Sequence, residues 1–140
     1  MSSGTSSIEI RFRADDALDV LRMRSAVEAF FDEAADETSD VAGALLVFGE
    51  LVANVVRHAP GAIAVRIDWP IDGPVMLYVD DCGPGPSPAP EQSEDPLRES
   101  GRGIDIVRAL SRGVKIVATP TGGTHVSAEL PLGRRRRASV

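Results

Sequence analysis

The sequence has one cysteine, Cys82, and one lysine, Lys115. A single cysteine cannot form an internal disulfide, which fits a reducing compartment where thiols are used sparingly. The lone lysine follows no Gly-x-x-x-x-Gly run and precedes Ile116, so the chain carries no P-loop. The Gly-rich loop, strand lysine and His-Arg-Asp set of eukaryotic protein kinases are missing as well. Two histidines, His58 and His125, stand far apart, so no metal-ligand cluster forms around them. There is no Gly-x-Ser-x-Gly elbow. No apolar run approaches the roughly 18 residues that span a bilayer, and the opening MSSGTSSIEIRFRADD has neither a basic region nor an apolar block. These absences point to a cytoplasmic protein away from the membrane.

The chain has 140 residues, 43% of them hydrophobic, enough for one domain with its own core. Its formal charge of −6 hides a split: four of the 15 basic residues are Arg134 to Arg137, and without them 11 face 21 acidic residues. An acidic body repels phosphate backbones, which argues against direct nucleic-acid binding. The ending RRRRASV reads as a solvated basic tail over 133–140.

Residues 1–7 are small and polar and read as a disordered tail, followed by a strand in which Ile8, Ile10 and Phe12 alternate with polar residues. Asp15 or Asp16 can cap a helix with Val20, Met23, Val27 and Phe30 at helical spacing, ending near Ala34. A second helix starts at Thr38 to Asp40, with Thr38 or Ser39 as cap, and runs to about His58 before Pro60-Gly61. Strands follow at Ala62 to Asp68 and Val75 to Val79, around a turn at Pro70 to Pro74. Five of the ten prolines fall between Pro84 and Ser100, marking a long loop. A short helix after Gly103 carries Ile104, Ile106, Val107 and Leu110, and strands Val114 to Ala118 and His125 to Leu130 close the chain. Three helices cannot cover both faces of a sheet built largely from hairpins. The order therefore predicts an α+β, two-layer α/β sandwich, its mixed but mostly antiparallel sheet carrying helices on one face.

Three segments can carry chemistry. In FGELVANVVRHAPG, Phe48, Val52, Val55, Val56 and the earlier Leu45 fall on one side of the helix. Glu50, Asn54 and His58, four residues apart, share an arc of about 80° nearly opposite. Such a face is solvated in most helices, so it gains meaning only from its neighbours. In VDDCGPGP an apolar strand ends in Asp81, Gly83 and Gly85. There a fixed carboxylate can accept from an amino group, and glycine lets the backbone approach a ligand closely. In ESGRGIDIV, Gly101 and Gly103 lead into a helix whose free amides and dipole suit phosphate. Gly122-Gly123-Thr124 then offers a hydroxyl at the start of the last strand.

Singly these signals are weak. Together and in this order, Glu-x-x-x-Asn-x-x-x-His on a helix, Asp-x-Gly-x-Gly after a strand and Gly-x-Gly before a helix resemble one superfamily. It is the ATPases of gyrase, histidine kinases, heat-shock chaperones and mismatch-repair proteins, with their Bergerat-type ATP-binding fold. Within it, the strand and helix before Glu50 make the chain similar to the bacterial anti-sigma-factor serine kinases. The resemblance covers 8–132, with a lid at about 84–100.

It implies that Asn54 ligates the Mg2+ that bridges the ATP phosphates, a role for an oxygen donor toward a hard cation. It implies Glu50 as general base. Asp81 would take the adenine amine in a pocket shaped by Gly83 and Gly85, with Thr124 assisting. Gly101, Arg102 and Gly103 would wrap the phosphates, and His58 matches the nucleotide-site pattern. The implied partners are an anti-anti-sigma protein, phosphorylated on serine, and a sigma factor held inactive; such proteins commonly form homodimers. Two alternatives stay open: a non-catalytic module whose ATP only shapes a partner-binding surface, and a detached histidine-kinase catalytic domain.

Overall fold

In the computed structural model, residues 5–13, 16–58, 61–81, 102–118 and 123–133 are described. The order is β1 (Thr5–Arg13), α1 (Ala17–Ala34), α2 (Val41–His58), β2 (Ala62–Pro70), β3 (Val75–Asp81), α3 (Arg102–Leu110), β4 (Gly113–Ala118) and β5 (Thr124–Leu130). The five strands form one sheet in the order β1-β2-β3-β5-β4. Each neighbouring pair is antiparallel, so the sheet is not mixed among the described strands. The expected two-layer α+β architecture is otherwise as read.

Side-chain alternation sets the two faces. Ile63, Val65, Ile67 and Trp69 of β2, Val75, Leu77 and Val79 of β3, and Val126, Ala128 and Leu130 of β5 are all buried toward the helices. Arg66, Asp68, Tyr78, Asp80, His125 and Glu129 stand on the opposite face. Met23, Val27 and Phe31 of α1 and Ala44, Val47, Phe48, Leu51, Val52 and Val55 of α2 complete the core. Each large side chain there contributes about 1.5–3 kcal/mol on leaving water. Phe30 and Phe31 meet Trp69 edge-on, with centroids 5.6 and 6.1 Å away.

The helix starts are fixed by carboxylates. Asp16 caps α1, its Oδ1 accepting from the backbone N–H of Leu18 and Asp19 at 3.0 and 3.2 Å. The cap of α2 is Asp40, neither Thr38 nor Ser39: Asp40 Oδ1 accepts from Gly43 N–H at 2.9 Å. The two hydroxyls are engaged elsewhere. Thr38 Oγ1 donates to Asp36 Oδ1 at 2.7 Å, and Ser39 Oγ lies 3.0 Å from both Asp36 Oδ1 and the Gly133 carbonyl. Gly133 N–H donates back to Ser39 Oγ and Asp36 N–H to the Gly133 carbonyl, tying the end of β5 to the α1–α2 turn.

Strand boundaries exceed the alternation read from sequence. β1 begins at Thr5, inside the segment read as a tail, because the antiparallel register continues to Thr5 opposite Pro70, and Ser7 Oγ donates to Asp68 at 2.7 Å. Gly73 takes a φ of 132° in the β2–β3 turn, where a side chain would be strained. No described helix is long and apolar enough to cross a membrane.

Candidate nucleotide site

The site is organised by α2, which packs against both β3 and α3. Its buried side is wider than the apolar pattern indicates. Asn54 is 5% exposed, and its Oδ1 is buried with no hydrogen-bond partner among the described residues. Leaving such an acceptor unsatisfied costs about 1–3 kcal/mol, so its partner is to be sought outside the described residues. Glu50, one turn earlier on the same face, is half-buried and reachable from solvent.

At the end of β3, Asp81 is 8% exposed and turned toward the helices. The register sets Thr124 of β5 opposite it, and Ile63 of β2 on its other side. Thr124 shares the inward parity of Val126, so carboxylate and hydroxyl are neighbours on the helix-facing side of the sheet. The backbone of α3 starts at Arg102, where free N–H groups and the positive dipole end suit an anion. α2, which carries Glu50 and Asn54, thus touches both β3, which ends in Asp81, and α3.

The other expected site residues are less fully placed. His58 ends α2, and Arg102 and Gly103 open α3, by backbone position only. Gly83, Gly85 and Gly101 lie outside the described residues, as does the 84–100 lid. No group of three or more His, Cys, Asp or Glu that could hold a metal by itself occurs among the described residues. An uncharged amide oxygen such as Asn54 Oδ1 nevertheless fits Mg2+, which keeps most of its ligands as water and substrate phosphate.

A second cluster, missed in the sequence, lies on the other face of the sheet. His125 Nδ1 pairs with Asp80 Oδ1, the imidazole stacks on Tyr78 at 5.8 Å, and Arg66 covers the Tyr78 ring at 4.4 Å. Strand parity was the available signal: Asp80 precedes Asp81 and His125 follows Thr124, so both point away from the site. The cluster is across the sheet from α2.

A sheet covered on one face by helices, with a buried Asn on α2 and a buried carboxylate at a strand end, is a two-layer α/β sandwich with polar groups built into its interior. The sequence profile of the histidine kinase-like ATPase domain matches residues 12–130, and the chain belongs to that family. It is thus an ATP-binding domain of the histidine kinase-like type. A sensor protein kinase of Pseudomonas aeruginosa, CarS, is 29% identical over 107 residues. The match takes in 68% of this chain and 24% of CarS, so the chain spans about a quarter of that relative's length.

Proposed function

We propose that this chain is a Mg-ATP-dependent protein kinase that phosphorylates a serine on an anti-anti-sigma partner and sequesters a sigma factor when that partner is unavailable. The observation that carries the reading is the contrast between two residues one turn apart: Asn54 is buried with an orphaned oxygen, and Glu50 beside it is open to an incoming group. β1 and α1, which precede this helix, belong to the same sheet and core, the arrangement of the anti-sigma type.

In this reading Asp81 accepts a hydrogen bond from the adenine amine, Thr124 supports that end, and the start of α3 with Gly101, Arg102 and Gly103 receives the phosphates. His58, the last residue of α2, matches the nucleotide-site pattern by its place in the sequence. Asn54 Oδ1 would ligate Mg2+, which when bound neutralises phosphate charge. Glu50 accepts the proton of the serine hydroxyl as Oγ bonds to the γ-phosphorus, and the bond to the β,γ-bridging oxygen breaks to release ADP.

Calorimetry with Mg-ATP tests the nucleotide half: the intact protein binds, and Asp81→Asn and Asn54→Ala do not. If all three fail to bind, the ATP reading falls. Glu50→Gln tests the chemistry; it is expected to bind ATP normally and to lose transfer by at least about 100-fold, as befits a general base. If partner control survives in Glu50→Gln, the chain is a binding module and not a kinase. The likeness to CarS favours one second reading, transfer to a histidine on a separate protein. A phosphate on the partner that is lost in acid would select it over serine.

A further inference from the structure

Three of the four strand ladders end on one row of residues. The β2–β3 ladder stops at Ile63–Asp81, the β3–β5 ladder at Asp81–Thr124 and the β4–β5 ladder at Ala118–Thr124. None continues past that row among the described residues. A last rung is held from one side only, and such ends open at little cost in free energy. Asp81 and Thr124 therefore sit where the sheet opens most readily, although recognition of a ligand group is strongest when the receiving groups are already fixed.

The rung behind them is braced on the opposite face. Asp80 and His125 are direct partners across β3 and β5, and His125 Nδ1 pairs with Asp80 Oδ1. The imidazole stacks on Tyr78 with the ring planes 27° apart, and Arg66 of β2 covers the same phenol ring. One run of contacts thus ties β2, β3 and β5 together near their ends. The positions flanking the pair in its own row are apolar, Ala64 on β2 and Val117 on β4, so no charged neighbour in that row competes for either partner. Cross-strand pairs and aromatic stacks of this kind stabilise the rung that carries them. Asp80 and Asp81 are consecutive, as are Thr124 and His125, so fixing the outward pair fixes the backbone that aims the inward one.

We propose that Asp80 and His125 are a positioning pair for base recognition: from the far face of the sheet they clamp the last rung but one, and so hold Asp81 and Thr124 at the spacing that reads the adenine amine. This rests on the role given to Asp81 above. The probes are Mg-ATP and Mg-ITP, which share their phosphates, inosine carrying a carbonyl where adenosine carries the amine. Calorimetry compares the intact protein with His125→Ala, Asp80→Ala and the swapped double variant Asp80→His/His125→Asp. Both side chains are half-exposed, so the variants are expected to fold. The intact protein prefers ATP. Each single variant weakens the Kd for ATP by about three- to fivefold, the scale of a cross-strand contact, and leaves that for ITP unchanged. In the nucleotide-free protein each also speeds amide hydrogen exchange over 79–81 and 124–126. The swapped pair restores both. Unaltered exchange in the single variants overturns the proposal, as does a swapped pair that fails to recover ATP binding. Equal weakening toward ATP and ITP overturns it too, since a merely structural pair would not distinguish them. An intact protein that binds ATP and ITP alike sinks the role of Asp81 as reader of the amine, and this assignment with it.

Discussion

Asn54 holds an amide oxygen in the interior with no donor to it among the described residues. If Asn54 holds the metal as proposed, its contributions to stability and to binding are separable. Asn54→Leu, of similar volume and without the orphaned oxygen, is expected to raise the thermal midpoint of the nucleotide-free protein by a few degrees, on the order of 1 kcal/mol. The further rise that Mg-ATP gives the intact protein should disappear. A variant that melts lower and still responds to Mg-ATP would mean that Asn54 is an ordinary core residue. Asp36 makes a second prediction at this scale. The Thr38 hydroxyl, first among its hydrogen-bond donors, holds its carboxyl below the usual value of 3.8. A depressed carboxyl contributes stability above its unfolded pKa and loses it as pH falls through the folded one. The advantage of the intact protein over Asp36→Asn is therefore expected at neutral pH and should vanish on acidification below about 3.8; urea melts at several pH values measure it. The spacing of Glu50, Asn54 and Asp81 could be read in sequence, since it reflects helix and strand periodicity. The burial of Asn54 could not. α2 is packed by elements from distant parts of the chain, α3 and β3 among them.

The start of α2 shows how an element can be right in place and wrong in cause. Thr38, Ser39 and Asp40 are all competent caps, and only the three-dimensional turn shows that Asp36 occupies both hydroxyls. Loss of the cap in Asp40→Ala is expected to cost about 1 kcal/mol in urea unfolding. Gly43→Ala should mimic it, because a Cβ there would run into the Asp40 carboxylate and displace it. The two changes remove the same bond, so the double variant should be little worse than either single one; full additivity would show that Asp40 and Gly43 act separately. Affinity for Mg-ATP should survive both, since Asn54 lies about three turns further along.

At the scale of the whole molecule, Trp69 is the single tryptophan and is fully buried against Phe30 and Phe31. It lies six residues along β2 from Ile63, the residue opposite Asp81, or about 20 Å at strand spacing. Its emission should therefore redden on unfolding in urea and stay fixed when Mg-ATP binds. A shift on binding would show that the site and the far end of the sheet move together. Element order and layer arrangement were legible because turn residues and hydrophobic periods are local. Strand order was not, because pairing joins residues far apart: β5 lies between β3 and β4, and no local pattern marks that insertion.

That insertion gives the molecule a timetable. During synthesis β3 emerges well before β5, so one edge of β3 stays open and Asp81 waits for Thr124. β4 also lacks its neighbour until β5 arrives. An open apolar edge invites pairing with other chains. A nascent chain stopped short of β5 would thus be both prone to association and without Thr124 beside Asp81, and, if that end holds the nucleotide as proposed, the ability to bind ATP would mark the chains whose sheet has closed.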